Sequence, residues 1–291
     1  MALLSVEFLR RIDRLRIRSQ GVFRGKFRGE RRSLNRGTGA EFADYRVYEI
    51  GDDLRYVDWN LYARLDRLFI KLFRAEEDLP INILIDNSKS MAFGKPTKLA
   101  CAKQVAAALG YIGLAGLDRV SIDAFSDRMH PVVPPTYGKA QFPKVSGSLE
   151  AIDIAGETDL TRCLKHFITH TQQSSIAVII SDFLDMNDYE PGIKQLLACG
   201  FDLTLVHLLA DAEIEPQLSG EWRLEDSETG HSKEITINGR TIAKYRQRLD
   251  IFCNSLRQFC VNRGANYVRI TNQAAIEQFI LQNLRRIGFV H

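Results

Sequence analysis

Hydrophobic residues recur in this chain with two periods, and the period changes mark its elements. Over residues 3–18, Leu4, Phe8, Ile12 and Leu15 fall at helical spacing, with Arg10, Arg11, Arg14 and Arg18 mostly on other faces. This predicts an amphipathic helix whose apolar stripe packs onto the rest of the protein or rests on a membrane surface. Gly21, Gly25, Gly29, Gly37 and Gly39, mixed with Arg and Phe, then break any period and predict an irregular or hairpin-rich stretch. Gly51-Asp52-Asp53 reads as a turn and Leu68–Phe73 as an alternating strand.

Beyond Pro80 the rhythm becomes strand, helix, strand. Strands are predicted at Ile81–Ile85, Val120–Phe125, Ile176–Ser181, Leu203–Leu209 and Asn266–Ile270. Helices are predicted at Thr97–Leu114, Asp159–Thr171, Tyr189–Cys199, Thr241–Asn262 and Gln273–Arg286; the first carries Leu99, Ala102, Ala106, Leu109 and Ile112 on one face. Such alternation implies a mainly parallel, doubly wound α/β sheet with helices on both faces. Trp222–Leu224 and Lys233–Ile237 flank DSETG as an inserted β-hairpin, an excursion over about 219–239. PPTY at Pro134–Tyr137 reads as a turn.

Length and composition bound the function. With 291 residues, 45% hydrophobic and 26% charged, the chain is an ordinary globular protein. It divides into a basic, aromatic-rich N-terminal subdomain, 1–78, and an α/β domain, 79–291. Net charge is +3, but residues 1–36 hold 11 Lys and Arg against 3 Asp and Glu, so this arm is +8 and the remainder −5. That asymmetry allows a solvated strap or an anionic partner. Apolar runs such as Ile176–Ile180 fall far short of the roughly 20 residues of a membrane-spanning helix. Five scattered cysteines (Cys101, Cys163, Cys199, Cys253, Cys260) without a Cys-x-x-Cys pair, and the absence of a secretory signal pattern, read as reduced thiols in a cytoplasmic protein.

The chemistry concentrates at strand ends. Asp86-Asn87-Ser88-Lys89-Ser90 follows the first core strand as D-x-S-x-S, Thr158 stands where the helix of GETDL opens, and Asp182 follows the strand IAVIIS. In an open α/β sheet, ligands bind beyond the carboxyl ends of strands. Hard oxygens without thiolate or imidazole suit Mg²⁺, then Mn²⁺ or Ca²⁺. Both carboxylates are expected at exposed strand ends, outside the core.

These residues resemble the von Willebrand factor A-type fold, whose metal-ion-dependent adhesion site (MIDAS) uses D-x-S-x-S, a Thr and an Asp on three loops. Asp86, Ser88, Ser90, Thr158 and Asp182 match without substitution. The resemblance implies a metal held by few charges, with a vacant position for an acidic side chain of a partner. EFADYRVYEIGDDLRYVDWNLYAR together with LIDNSKSM is similar to the bacterial domain-of-unknown-function 58 family. That resemblance implies association with a MoxR-type AAA+ ATPase.

The segment Glu41–Arg74 interleaves Asp44, Asp52, Asp53 and Asp58 with Arg46, Arg55, Arg64 and Arg67, and adds Tyr45, Tyr48, Tyr56, Trp59 and Tyr62. This is either an internal salt-bridge and packing network or a partner-docking surface built on Tyr45, Arg46, Arg55, Trp59 and Arg64, because Tyr, Trp and Arg dominate interface hot spots. The reading is therefore a metal-dependent protein-binding adaptor rather than an enzyme. Two alternatives stay open: a metal-dependent phosphoryl-transfer enzyme using Asp86, and a nucleic-acid binder using the Arg-rich arm. His166 and His170 share a helix face at i, i+4 without a third ligand, and no histidine joins an H-E-x-x-H motif.

Overall fold

The computed structural model describes residues 3–19, 41–48, 54–74, 80–171, 175–184, 188–218, 220–225 and 232–291. The expected irregular stretch over the five early glycines, the Gly51-Asp52-Asp53 turn and the DSETG turn lie outside the described residues. Ten strands are found among those described: β1 (Glu41–Val47), β2 (Phe69–Arg74), β3 (Pro80–Asp86), β4 (Arg119–Phe125), β5 (Met129–Tyr137), β6 (Ile176–Ser181), β7 (Asp202–Leu209), β8 (Gly220–Glu225), β9 (Ser232–Ile237) and β10 (Asn266–Thr271). The chain separates into two compact units, residues 1–26 with 79–291, and residues 27–78.

The larger unit is a mostly parallel six-stranded sheet ordered β10-β7-β6-β3-β4-β5, with only β5 antiparallel. This is the doubly wound order of a von Willebrand A-like, Rossmann-like fold, carrying an antiparallel strand at one edge. Alternation along each strand feeds two cores. Ile81, Ile83 and Ile85 with Ile176, Val178 and Ile180 face one layer; Leu84, Ala177, Ile179, Leu203 and Leu205 face the other. Helix Lys98–Ala115 covers the first face, and helices Leu160–His170, Glu190–Ala198 and Gly239–Val261 supply buried residues to the second.

Helix Lys98–Ala115 was expected to be amphipathic but is buried on nearly every side. Its small residues explain this: a Cβ on Gly113 would come 2.7 Å from Val120 Cγ2, so glycine lets the helix lie directly on the sheet. Its outer side is covered by the N-terminal segment. There the expected helix is shorter, Val6–Ile12, capped by Ser5 Oγ accepting from Phe8 N. Leu4, Phe8, Ile12 and Leu15 are all buried in the same core, and Ile17 bridges Val290 near the chain's other end. Residues 1–26 therefore join the α/β unit rather than the expected 1–78 subdomain, because their apolar stripe is spent on this core.

Met129–Tyr137, where PPTY was read as a turn, is instead an edge strand paired with β4. Pro131, Pro134 and Pro135 obscured it, yet an edge strand tolerates proline because its outer side needs no donor. The closing helix is one α-helical turn, Ile276–Gln278, passing into a π-helix, Phe279–Leu284. The hairpin excursion is β8 paired with β9. In the smaller unit β1 pairs with β2, and Asp58 caps helix Trp59–Leu65 by accepting from Asn60 N and Leu61 N.

Candidate metal centre

Strand β3 ends at Asp86, which is fully buried. Its Oδ1 accepts from Ser88 N at 2.9 Å and its Oδ2 from Ser181 Oγ at 2.6 Å. The first bond turns the chain sharply after the strand, so that Ser88 leads into the short 3-10 helix Lys89–Ala92 with Ser88 Oγ and Ser90 Oγ 3.1 Å apart. Thr158, also buried, rides on a loop fastened to this turn: Ala155 N donates to Asn87 O at 2.7 Å, Lys89 N to Gly156 O at 3.2 Å, and Asn87 Nδ2 to Asp153 O at 2.8 Å. Gly156 has φ +59°, and a Cβ there would lie 2.8 Å from Asp127 Oδ1, so the close approach of the Thr158 loop to the turn after β4 needs glycine.

Asp182 follows β6 and is buried, contrary to the exposed position expected for both carboxylates. The strands end beneath their loops, not at the surface. Asp182 Oδ1 accepts from Leu184 N at 3.1 Å, and Phe183 N donates to Ser181 Oγ at 2.9 Å. Between them sits Phe183 at φ +54°, a left-handed conformation uncommon for a bulky residue and held here by its two polar neighbours.

The sequence reading missed the cation beside them. Lys98 is fully buried, and its ammonium donates to Asp182 Oδ2 and to Glu213 Oε1, each at 2.6 Å. Burial disfavours its charge, but the two carboxylates more than offset this and hold its pKa above the ordinary value. A signal was present. Lys98 directly follows the cap Thr97, where the helix dipole disfavours a cation, so a lysine there calls for nearby carboxylates. His207, beside Ser181 in the sheet register, was also missed; its Nδ1 pairs with Tyr267 Oη at 2.8 Å. Burial pushes its pKa down to about 4, which leaves it neutral at pH 7.

These residues fit a divalent ion. Burial, and then the neighbouring Asp182 charge, push Asp86 up to about 7, so its carboxylate lacks a counter-charge that Lys98, engaged with Asp182 and Glu213, does not supply. A dication would neutralise Asp86 and Asp182 together. The 3.1 Å between the serine hydroxyls approaches the roughly 3.0 Å edge of an octahedron with bonds of about 2.1 Å. Among the described residues no group of three or more His, Cys, Asp or Glu could hold an ion, so binding must lean on the hydroxyls of Ser88, Ser90 and Thr158.

In the smaller unit Tyr45 Oη donates to Asp58 Oδ2 at 3.1 Å, and Trp59 stacks edge-on with Tyr62, ring centroids 6.2 Å apart. Tyr45, Arg55, Trp59 and Arg64 are exposed; the side chain of Arg46 lies outside the described residues. No helix among the described residues is long and apolar enough to cross a membrane, and all five cysteines are free thiols.

Known proteins carry related sequences and shapes. Uncharacterized proteins of Mycobacterium tuberculosis and Mycobacterium bovis are 25% identical over 219 residues, covering 74% of this chain and 69% of theirs. Among solved structures, BatB of Bacteroides thetaiotaomicron, a conserved hypothetical protein, is 14% identical, with coverage of 72% of this chain and 98% of that one and a TM-score of 0.45. An aerotolerance-related membrane protein of Bacteroides fragilis is 18% identical, covering 72% and 99%, also at 0.45. Mussel-byssus proximal thread matrix protein 1 with a zinc-occupied MIDAS motif is 12% identical, covering 73% and 47%, at 0.44. The model of the family described as protein of unknown function DUF58 matches residues 44–250, more than two thirds of the chain, and the chain belongs to that family.

Proposed function

We propose that this chain is a metal-dependent protein-binding adaptor, acting in the cytoplasm as a partner of a MoxR-type AAA+ ATPase. The observation that supports it is the meeting of Asp86, Ser88 and Ser90 with Asp182, beside the loop of Thr158, at the carboxyl edge of the sheet. Mg²⁺ held there by two carboxylates and neutral hydroxyls would remain an acceptor for a partner's Asp or Glu. The chain's own residues do the rest. Ser88 N and Ser181 Oγ fix the Asp86 carboxylate, and Leu184 N and Lys98 fix that of Asp182. The ATPase partnership rests on the family resemblance. The exposed Tyr45, Arg55, Trp59 and Arg64, with Arg46 in the same segment, form the second candidate contact.

Phosphoryl transfer by Asp86 is less well supported: both its oxygens are engaged in buried hydrogen bonds, and Ser88 stands where an acid/base carboxylate is wanted. The test is a binding titration of a MoxR-type ATPase from the same organism against wild type and Asp86→Asn, in Mg²⁺ and in EDTA, with folding followed by circular dichroism. Binding is expected only for wild type in Mg²⁺. Equal affinity in all four conditions overturns the metal-dependent reading and moves the contact to the Tyr45–Arg64 surface.

A further inference from the structure

Lys98 carries its charge in a place that disfavours a cation. It is the first residue of an 18-residue helix, where the dipole opposes a cation, and it is fully buried. Two carboxylates from different strand ends retain it. Asp182 comes from the end of β6, and Glu213 from the short helix Asp211–Ile214 that follows β7. Glu213 is itself anchored, since its second oxygen accepts from Ala210 N at 2.7 Å. The ammonium thus occupies one oxygen of Asp182, Oδ2, while Oδ1 accepts from Leu184 N, so the carboxylate that the centre would offer to a metal is already engaged with a cation.

We propose that Lys98 is a resident cation of this centre, competing with the divalent ion for Asp182, and that Glu213 weakens the competition by sharing the ammonium. The inference rests on the metal-binding reading above and adds its regulation. Charge accounting gives the direction. With all three ionised, Asp86, Asp182 and Glu213 carry three negative charges against one from Lys98, which leaves two uncompensated, the number a dication supplies. Without the ammonium, three buried or half-buried carboxylates share one site, and a dication becomes their only counterion. With Glu213 neutralised, the ammonium belongs to Asp182 alone and screens it more fully. A rearrangement that drew Glu213 toward or away from Lys98 would therefore raise or lower metal affinity without touching an ion-binding side chain.

The two substitutions move in opposite directions, which separates this role from a merely structural one. Mn²⁺ is titrated calorimetrically into the full chain as wild type, Lys98→Met, Glu213→Gln and Asp86→Asn, with thermal midpoints measured in EDTA and in Mn²⁺. Lys98→Met is expected to bind Mn²⁺ about tenfold tighter and to show the larger metal-induced rise in midpoint. Glu213→Gln is expected to bind about threefold more weakly, and Asp86→Asn not at all. If Lys98→Met proves unfolded in EDTA, its recovery in Mn²⁺ supports the proposal, and the sign of the Glu213→Gln change tests it independently. Unchanged affinity in both Lys98→Met and Glu213→Gln, with binding lost only in Asp86→Asn, overturns the role of Lys98 and leaves the metal centre standing. Absence of Mn²⁺ binding in every protein overturns both; binding by Lys98→Met alone supports the competition.

Discussion

Strand β3 carries a buried Asn82 near its amino end and a buried Asp86 at its carboxyl end, four residues apart on the same face. Asn82 Oδ1 accepts from Ser121 Oγ at 2.6 Å, and its Nδ2 donates to Ser175 Oγ at 2.5 Å, so three neighbouring chain segments are stitched together by neutral groups. At the other end Asp86 meets two hydroxyl-bearing turns, a second carboxylate and, one step away, a buried ammonium. The first cluster is closed: each donor and acceptor of Asn82 has a protein partner. The second remains open in charge, and in its turn the buried Asn87 Oδ1 has no hydrogen-bond partner. A buried polar cluster that serves the fold alone has no reason to keep like charges together, since hydrogen bonds between neutral groups do the same work without the desolvation cost.

The contrast is broken most severely by removing a charge. Asp182→Ala leaves Lys98 buried with Glu213 alone, and is expected to lower unfolding free energy by about 3–5 kcal/mol in denaturant titrations. Asn82→Ala, at the neutral end, should cost only about 1–3 kcal/mol, and Mg²⁺ should leave that loss unchanged. A magnesium-dependent loss in Asn82→Ala would mean that the two ends are not distinct.

A subtler effect comes from pH. The carboxyl of Asp86 lies near 7 in the folded chain against 3.8 for the unperturbed group, so between these values the folded state binds more protons than the unfolded state. Stability from this group is fully present below about 4 and is lost as pH rises through 7. In EDTA, wild type is therefore expected to be less stable at pH 8 than at pH 5.5 by on the order of 2 kcal/mol, and Asp86→Asn should remove most of that slope. Mg²⁺ should flatten the wild-type slope by stabilising the carboxylate. A slope that survives in Asp86→Asn assigns it to another group.

Much of this architecture was legible in the sequence because the strand cores are long apolar runs bounded by helices, and the order of elements then dictates the sheet. Asp86, Ser88, Ser90, Thr158 and Asp182 stood out as candidates because they fall just after a strand or at a helix entrance, where fold geometry gathers side chains. What escaped had physical reasons. The prolines of Met129–Tyr137 look like turn residues unless the strand is known to lie at an edge. The position of Lys98 directly after a helix cap signals that carboxylates lie near, but only the tertiary structure identifies Glu213, 115 positions later, as one of them. The N-terminal stripe was legible as a stripe, but its target, the outer side of helix Lys98–Ala115, was not.

The smallest effect belongs to the exposed aromatic surface. Trp59 is 58% exposed, so Trp59→Ala should change stability by less than about 0.5 kcal/mol while lowering affinity for a partner that docks there. A large loss of stability would instead mark Trp59 as part of a packing network.

The central claim is that the charge left open beneath the carboxyl edge of the sheet is a place for a divalent cation. Calorimetric titration of Mg²⁺ into the metal-free chain and into Asp86→Asn addresses it most directly. The account predicts saturable binding of one ion per chain in wild type and none in Asp86→Asn; no binding by wild type, or equal binding by both, would contradict it.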